Sequence, residues 1–143
     1  MLNLSKLMSL KDRRALITGG NGHIGRIIAL TLAELGADLI LVDRHGSDYR
    51  KLINEIKNNF KIDVQTYDCD LGIQNDRRKL ISTLCNEDTS LNILINNAAF
   101  VGDTNLEGWV TDFDKQSVET WRSALEVNLT AAFSLIQGLS PLL

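Results

Sequence analysis

The segment Thr18-Gly19-Gly20-Asn21-Gly22-His23-Ile24-Gly25 narrows the possible folds of this chain more than any other. Residues 15–18 form a short apolar run, read as a buried strand, that leads straight into the glycines. Beyond them the apolar positions switch to helical spacing at Ile24, Ile27, Ile28, Thr31 and Leu35, and Gly36 stands where a C-cap is expected. The alternation then repeats. Residues 39–42 are a second buried strand ending at Asp43, and Tyr49, Leu52, Ile53, Ile56 and Phe60 mark a second helix. Residues 64–70 form a third strand, with Val64, Thr66 and Asp68 on one face, followed by a helix from about residue 75 to 84. Residues 91–96 are a fourth strand. Val118, Trp121, Leu125, Asn128, Leu129, Ala132 and Ile136 define a long fourth helix, with Ser117 as its N-cap and Pro141 as its stop.

The order β-α-β-α-β-α-β-α implies a parallel sheet with helices on both faces and right-handed crossovers. The expected architecture is a Rossmann-type doubly wound α/β sheet, with residues 1–143 as one domain. Residues 100–114 are the one long irregular stretch, and long loops in compact domains tend to be functional. This loop leaves the C-terminal end of the fourth strand, where ligands bind in open α/β sheets. Trp109 and Phe113 are therefore candidates for substrate contact as well as for plain loop packing.

Composition excludes several classes. With 44% hydrophobic and 23% charged residues and one proline, the 143 residues are those of an ordinary globular protein. A net charge of −3 offers no nucleic-acid surface. The small cluster Lys11, Arg13 and Arg14 reads as a solvated strand entry. Residues 1–10 carry Leu2, Leu4, Leu7, Met8 and Leu10, but polar residues interrupt them, so no signal-peptide core forms. No stretch approaches the ~20 apolar residues of a membrane span, and a cytoplasmic protein is expected. Cys69 and Cys85 match neither a redox nor a zinc spacing, so reduced thiols are expected. With only His23 and His45 beside them, no metal site is expected.

The glycine turn has a specific chemistry. Gly19 can take the backbone angles of a tight turn, Gly22 would let the chain approach a pyrophosphate, and Gly25 would let the helix pack on the strand. The free amides and the positive end of the helix then face the phosphates. Asp43 lies 18 residues beyond Gly25, where a carboxylate can accept hydrogen bonds from the adenosine ribose hydroxyls. That carboxylate would repel a 2′-phosphate, which favours NAD(H) over NADP(H); Arg44 partly offsets the repulsion. The plain alternative for Asp43 is a solvated strand end. Gly20 and Gly25 also have P-loop spacing, but Arg26 and Ile27 replace the required Lys and Ser/Thr, which rejects a P-loop. A methyltransferase that binds S-adenosylmethionine shares the turn and the acid, and the residues further along decide against it.

Those residues are Asp70-Leu71 and Asn96-Asn97-Ala98-Ala99. With them, the chain from about Ser9 onward resembles the short-chain dehydrogenase/reductase family. The resemblance implies that Thr18 begins the stretch binding the pyrophosphate, from Gly19 through Gly20, Asn21, Gly22, His23 and Ile24 to Gly25. It implies that Asp70 and Leu71 contact the adenine. It also implies that Asn97, Ala98 and Ala99 line the cofactor, with alanine where the family has a final glycine. The run Glu126-Val127-Asn128-Leu129-Thr130 resembles the element that supplies an asparagine to the catalytic relay, so Asn128 is the catalytic candidate. Its place on the apolar face of the fourth helix also fits a buried amide that needs partners. His23 stands where the compact branch of the family has glycine. The resulting Gly19-x-x-Gly22-x-x-Gly25 spacing resembles the extended branch of epimerases and dehydratases. The whole pattern is most similar to oxidoreductases of bacterial surface-sugar synthesis, including the legionaminic-acid type. His23 reads as a solvent-side turn residue rather than a base.

The family's proton donor is a Tyr-x-x-x-Lys pair with a serine. Here the only tyrosines, Tyr49 and Tyr67, are followed four residues later by Ile53 and Leu71. The expectation is that serine, tyrosine and lysine lie beyond Leu143, where family members enter a fifth strand. Two readings stay open: a truncated oxidoreductase acting on an alcohol or ketone, or a non-catalytic dinucleotide-binding module. The expected partner is a small-molecule substrate, with neither nucleic acid nor membrane. Self-association through an exposed edge of the fourth strand is a further expectation.

Overall fold

The computed structural model describes residues 3–87, 90–102 and 106–143. Leu2 and residues 103–105 of the long loop lie outside these. Four parallel strands are ordered β3-β2-β1-β4: β1 (Arg14–Thr18), β2 (Asp38–Asp43), β3 (Val64–Asp68) and β4 (Ile93–Ile95). After a single helical turn at Leu4–Leu7, the helices are α1 (His23–Glu34), α2 (Arg50–Asn59), α3 (Gln74–Asn86), α4 (Val118–Leu125) and α5 (Ala131–Leu139), the last two joined by a π-helical turn, Glu126–Thr130. This is the Rossmann-type α/β arrangement. The chain winds outward from β1 through β2 to β3, then crosses back to place β4 on the other side of β1. The carboxyl ends of β1 and β4 therefore diverge into a crevice.

Apolar residues cover both faces of the sheet. Ala15, Ile17, Leu39 and Leu41 pack with Ala29 and Ala33 of α1 and Leu52 and Ile56 of α2. Leu16, Ile40 and Val42 face the other way, onto Leu80 and Leu84 of α3 and Leu135 and Leu139 of α5. Burial on both faces is why β1 and β2 read as unbroken apolar runs rather than alternating ones. β3 stops at Asp68, two residues earlier than expected, although the Cys69 amide still donates to the Asp43 carbonyl. β4 is three residues long where residues 91–96 are expected. Among the described residues no helix is long and apolar enough to cross a membrane.

Two helices bury a different face from the one their apolar spacing predicts. The buried residues of α1 are Gly25, Ala29 and Ala33, whereas Ile24 is 69% exposed and Ile27 is also exposed. Small side chains let α1 lie close to the sheet; an isoleucine on that face would hold it away. At its far end Leu35 is the cap and Gly36 follows at φ +94°, with Gly36 N–H donating to Ala33 O and Ala37 N–H to Leu32 O. This is a Schellman stop with its cap at Leu35, one residue before the expected Gly36, which instead takes the left-handed position after the cap.

The second case is the α4–α5 rod. Ala124, Ala131, Leu135 and Leu139 face inward, while Val118, Trp121, Leu125, Leu129 and Ile136 are exposed and Ala132 is half-buried. The inward face lies one residue earlier than expected on both sides of the π turn, at Ala124 before it and at Ala131 and Leu135 after it. In the turn itself the Ala131 N–H reaches back five residues to Glu126 O. Ser117 caps α4 as expected, its Oγ accepting from Thr120 N–H, and Pro141 lies in a closing 3₁₀ turn.

Gly25 sets how closely α1 approaches the turn, because a Cβ there would overlap the Gly19 carbonyl oxygen. Gly25→Ala should destabilise the chain by about 3 kcal/mol through forced backbone shifts, read as a lowered urea midpoint with unchanged slope.

Candidate functional site

An open cleft of about 1110 Å³ lies over the carboxyl ends of the strands. After β1, Gly19, Gly22, His23 and Ile24 form its floor and near wall. After β2 come Asp43 and Arg44, after β3 Asp70 and Leu71, and after β4 Asn97, Ala98 and Ala99. Eleven of the sequence-derived site residues thus meet in one depression, although they come from four separate connections.

The helix mouth is open. Gly22 is the N-cap of α1, has no side chain, and provides no capping hydrogen bond. The first amides of a helix lack intrahelical acceptors, so this mouth presents donors to the cleft. Gly19 holds φ +64°, and Gly20 is pressed against Leu41 with its N–H on Val42 O. Asn21 N–H donates to Asp43 Oδ2 at 3.0 Å, while Asp43 Oδ1 accepts from Arg44 N–H at 2.9 Å. The acid after β2 therefore braces the glycine turn as well as facing the cleft.

Thr18 sits behind the cleft rather than in its wall. Its buried hydroxyl accepts from Asn97 N–H at 3.0 Å and Ala98 N–H at 3.1 Å, and donates to Ile95 O at 3.4 Å. The Asn97 amide returns two bonds, to Thr18 O at 2.9 Å and Gly19 O at 3.1 Å. This latch fixes the two sides of the crevice to each other. Gly20, Asn21 and Gly25 likewise shape the turn from outside the cleft wall.

Asn128 is exposed, which corrects the buried position expected from the helical pattern. The π turn swings it to the loop after β4. There Phe100 N–H donates to its Oδ1 at 2.6 Å, and its Nδ2 donates to Phe100 O at 3.3 Å. Trp109 and Phe113 do not line the cleft. Trp109 packs edge-on against Phe100 and donates through Nε1 to Val101 O; Phe113, 89% exposed, sits in a 3₁₀ turn.

On the adenosine side, Asp70 Oδ1 accepts from Gly72 N–H at 2.8 Å. Asp76 is held below the usual carboxylate range by its bond to His45, 3.0 Å away, and by the Asp70 N–H. Burial, then the Asp76 and Asp70 charges, push the Cys69 thiol up to about 12, so it remains protonated and inert. Sequence reasoning missed Arg77, Glu126 and Val127. Glu126 and Val127 line the cleft, and Arg77 joins Glu126 from α3. Arg77-Arg78-Lys79 reads as a solvated basic run, and nothing in its spacing separates Arg77 from its neighbours.

The model of the short chain dehydrogenase family matches residues 13–143. The rhamnolipids biosynthesis 3-oxoacyl-[acyl-carrier-protein] reductase of Pseudomonas aeruginosa is 32% identical over 135 residues, which cover 94% of this chain and 49% of that protein. A tropinone reductase homolog of Arabidopsis thaliana is 32% identical over 143 residues, covering 99% of this chain and 51% of that one. Among solved structures, the Pseudomonas aeruginosa RhlG/NADP active-site complex superposes with a TM-score of 0.79 at 32% identity, over 95% of this chain and 50% of that one. The chain spans about half the length of the curated relatives it matches.

Two outcomes are expected. Thr18→Val strands the Asn97 and Ala98 amides and should cost about 2 kcal/mol in urea denaturation, with Thr18→Ser recovering most of it. Burial pushes the Tyr67 phenol up to about 12, helped by its hydrogen bond to Glu87, and burial with the Asp43 and Asp68 charges pushes Tyr49 up as well. Both folded values lie above the unfolded value near 10. Their contribution to stability is therefore full below pH 10 and is lost as pH rises toward 12. Absorbance at 295 nm should show little tyrosinate at pH 10 in the folded chain and two at alkaline unfolding.

Proposed function

The chain belongs to the short chain dehydrogenase family, and we propose that these 143 residues form the cofactor-binding part of an NAD(H)-dependent oxidoreductase. The observation that carries this reading is the uncapped mouth of α1 opening between Gly19 and Gly22 into the cleft, with Asp43 at the end of β2 beside it. The amides suit a diphosphate, and the carboxylate suits ribose hydroxyls. When bound, the cofactor supplies the hydride exchanged with an alcohol or ketone carbon. The chain's own residues do the rest. The turn seats the phosphates, Asp43 takes the ribose, Asp70 and Leu71 meet the adenine, and Asn97 to Ala99 back the nicotinamide end.

Asp43 favours NAD(H), since a 2′-phosphate beside it would meet a negative charge already fixed by two backbone amides. The RhlG complex holds NADP, so cofactor choice rests here on position 43 and on Arg44 beside it. Asn128 serves the catalytic relay in this reading, held in place by Phe100. A sugar-derived substrate is the narrower proposal, supported by the Gly19-x-x-Gly22-x-x-Gly25 spacing.

A second reading, a binding module without turnover, is favoured by one observation: no Tyr-x-x-x-Lys occurs in the 143 residues. Titration of the chain with NADH and NADPH, followed by nicotinamide fluorescence, separates the possibilities. Saturable binding about tenfold tighter for NADH is expected, a difference of about 1.4 kcal/mol. Tighter NADPH binding would overturn the choice of NAD, and no saturation with either would overturn the dinucleotide reading. Absence of carbonyl-dependent NADH oxidation is expected from the isolated chain.

A further inference from the structure

Arg77 is the one buried charged residue among those described, with its side chain 3% exposed. A buried guanidinium is costly unless its donors are met. Arg77 Nη2 donates to Glu126 Oε1 at 2.5 Å, and its Nη1 to the Leu71 carbonyl at 2.5 Å. These two acceptors belong to different connections, brought side by side at the cleft by one guanidinium. Leu71 belongs to the segment after β3; Glu126 is the first residue of the π turn. Two residues on, Asn128 grips both the N–H and the carbonyl of Phe100, which lies on the loop after β4. The path is continuous: Leu71 carbonyl, Arg77, Glu126, π turn, Asn128, Phe100.

We propose that Arg77 and Glu126 are positioning residues, a buried ion pair that holds the π turn in register and so sets the Leu71 wall of the cleft against the Phe100 wall. A π turn is a strained insertion that persists where side chains hold it. Without the Arg77–Glu126 bond, the helix is free to relax by one residue. That relaxation carries Asn128 off Phe100 and widens the cleft between its adenine end and its far end. The functional consequence rests on the dinucleotide reading above; the structural coupling does not.

The test uses the whole 143-residue chain, isotope-labelled, with hydrogen exchange first measured without nucleotide. Glu126→Gln should speed exchange of the Phe100 amide about tenfold or more while leaving the Ile40 amide of β2 unchanged, the signature of local rather than global opening. Arg77→Lys, which keeps the charge but not the two-acceptor fork, should give a smaller rise. In the same variants NADH affinity should fall about tenfold, and AMP affinity, which in that reading uses the glycine turn, Asp43 and Leu71 but not the Phe100 loop, should fall less than threefold. Should Glu126→Gln fail to fold, Arg77→Met/Glu126→Leu leaves no unpaired buried charge and serves the same comparison. Unchanged Phe100 exchange, or equal acceleration at Phe100 and Ile40, would overturn the proposal. If wild-type chain does not bind NADH while Phe100 responds as described, the cofactor reading fails and the positioning pair stands.

Discussion

The structure depends on an absence of atoms at one point. The backbone of α1 at Gly25 lies so close to the Gly19 carbonyl that no side chain fits between them. That approach lets a strand turn into a helix within four residues and leaves the first amides of α1 facing outward over the sheet. It also explains the small residues further along the helix. Gly25, Ala29 and Ala33 continue the same contact line along the sheet, and a bulky residue at any of them would pivot the helix away from it. Two other walls of the cleft are placed relative to this turn: Asp43 through the Asn21 amide, and the loop after β4 through Asn97.

The strand and helix order was legible because β1 and β2 are buried on both faces and their apolar runs are interrupted only at turns. The site was legible for the same reason. In a doubly wound sheet, residues just past the strand ends converge, so Gly19, Asp43, Asp70 and Asn97 could be grouped before any contact was known. What periodicity could not provide was the choice of face. In α1 the isoleucines point outward and Gly25, Ala29 and Ala33 point in, because closeness of approach outweighed side-chain volume; in the α4–α5 rod Ala124 and Ala131 face inward with Leu135 and Leu139, while Trp121, Leu129 and Ile136 are exposed. A spacing rule that treats Ile and Ala alike has no term for this. The π turn was equally hidden, since its stabilising contacts come from Arg77, 49 residues earlier, and from Phe100, 28 residues earlier.

Polar residues divide by what they hold. Thr18 and Asn97 are spent on backbone groups of neighbouring strand ends, and Arg77 on a carbonyl and a carboxylate from different connections. Each satisfies groups that burial would otherwise leave unmet. This is why the cleft keeps a defined shape with few strands beside it. Trp109 acts similarly further out: its indole fills the space over Gly102 and ties its own stretch of backbone to the loop after β4, so its size serves order rather than ligand contact.

The double engagement of Asp43 carries a lesson for anyone who would redesign nucleotide preference here. Its two oxygens already anchor the main chain at Asn21 and at Arg44, so the residue is both a discriminator and a strut. Exchanging it for a neutral or basic group to welcome an extra phosphate would slacken the loop that must grip the diphosphate. Gains in tolerance would arrive with losses in grip. Retuning is better aimed at Arg44 and His45, whose exposed side chains reach the same rim without holding up the turn.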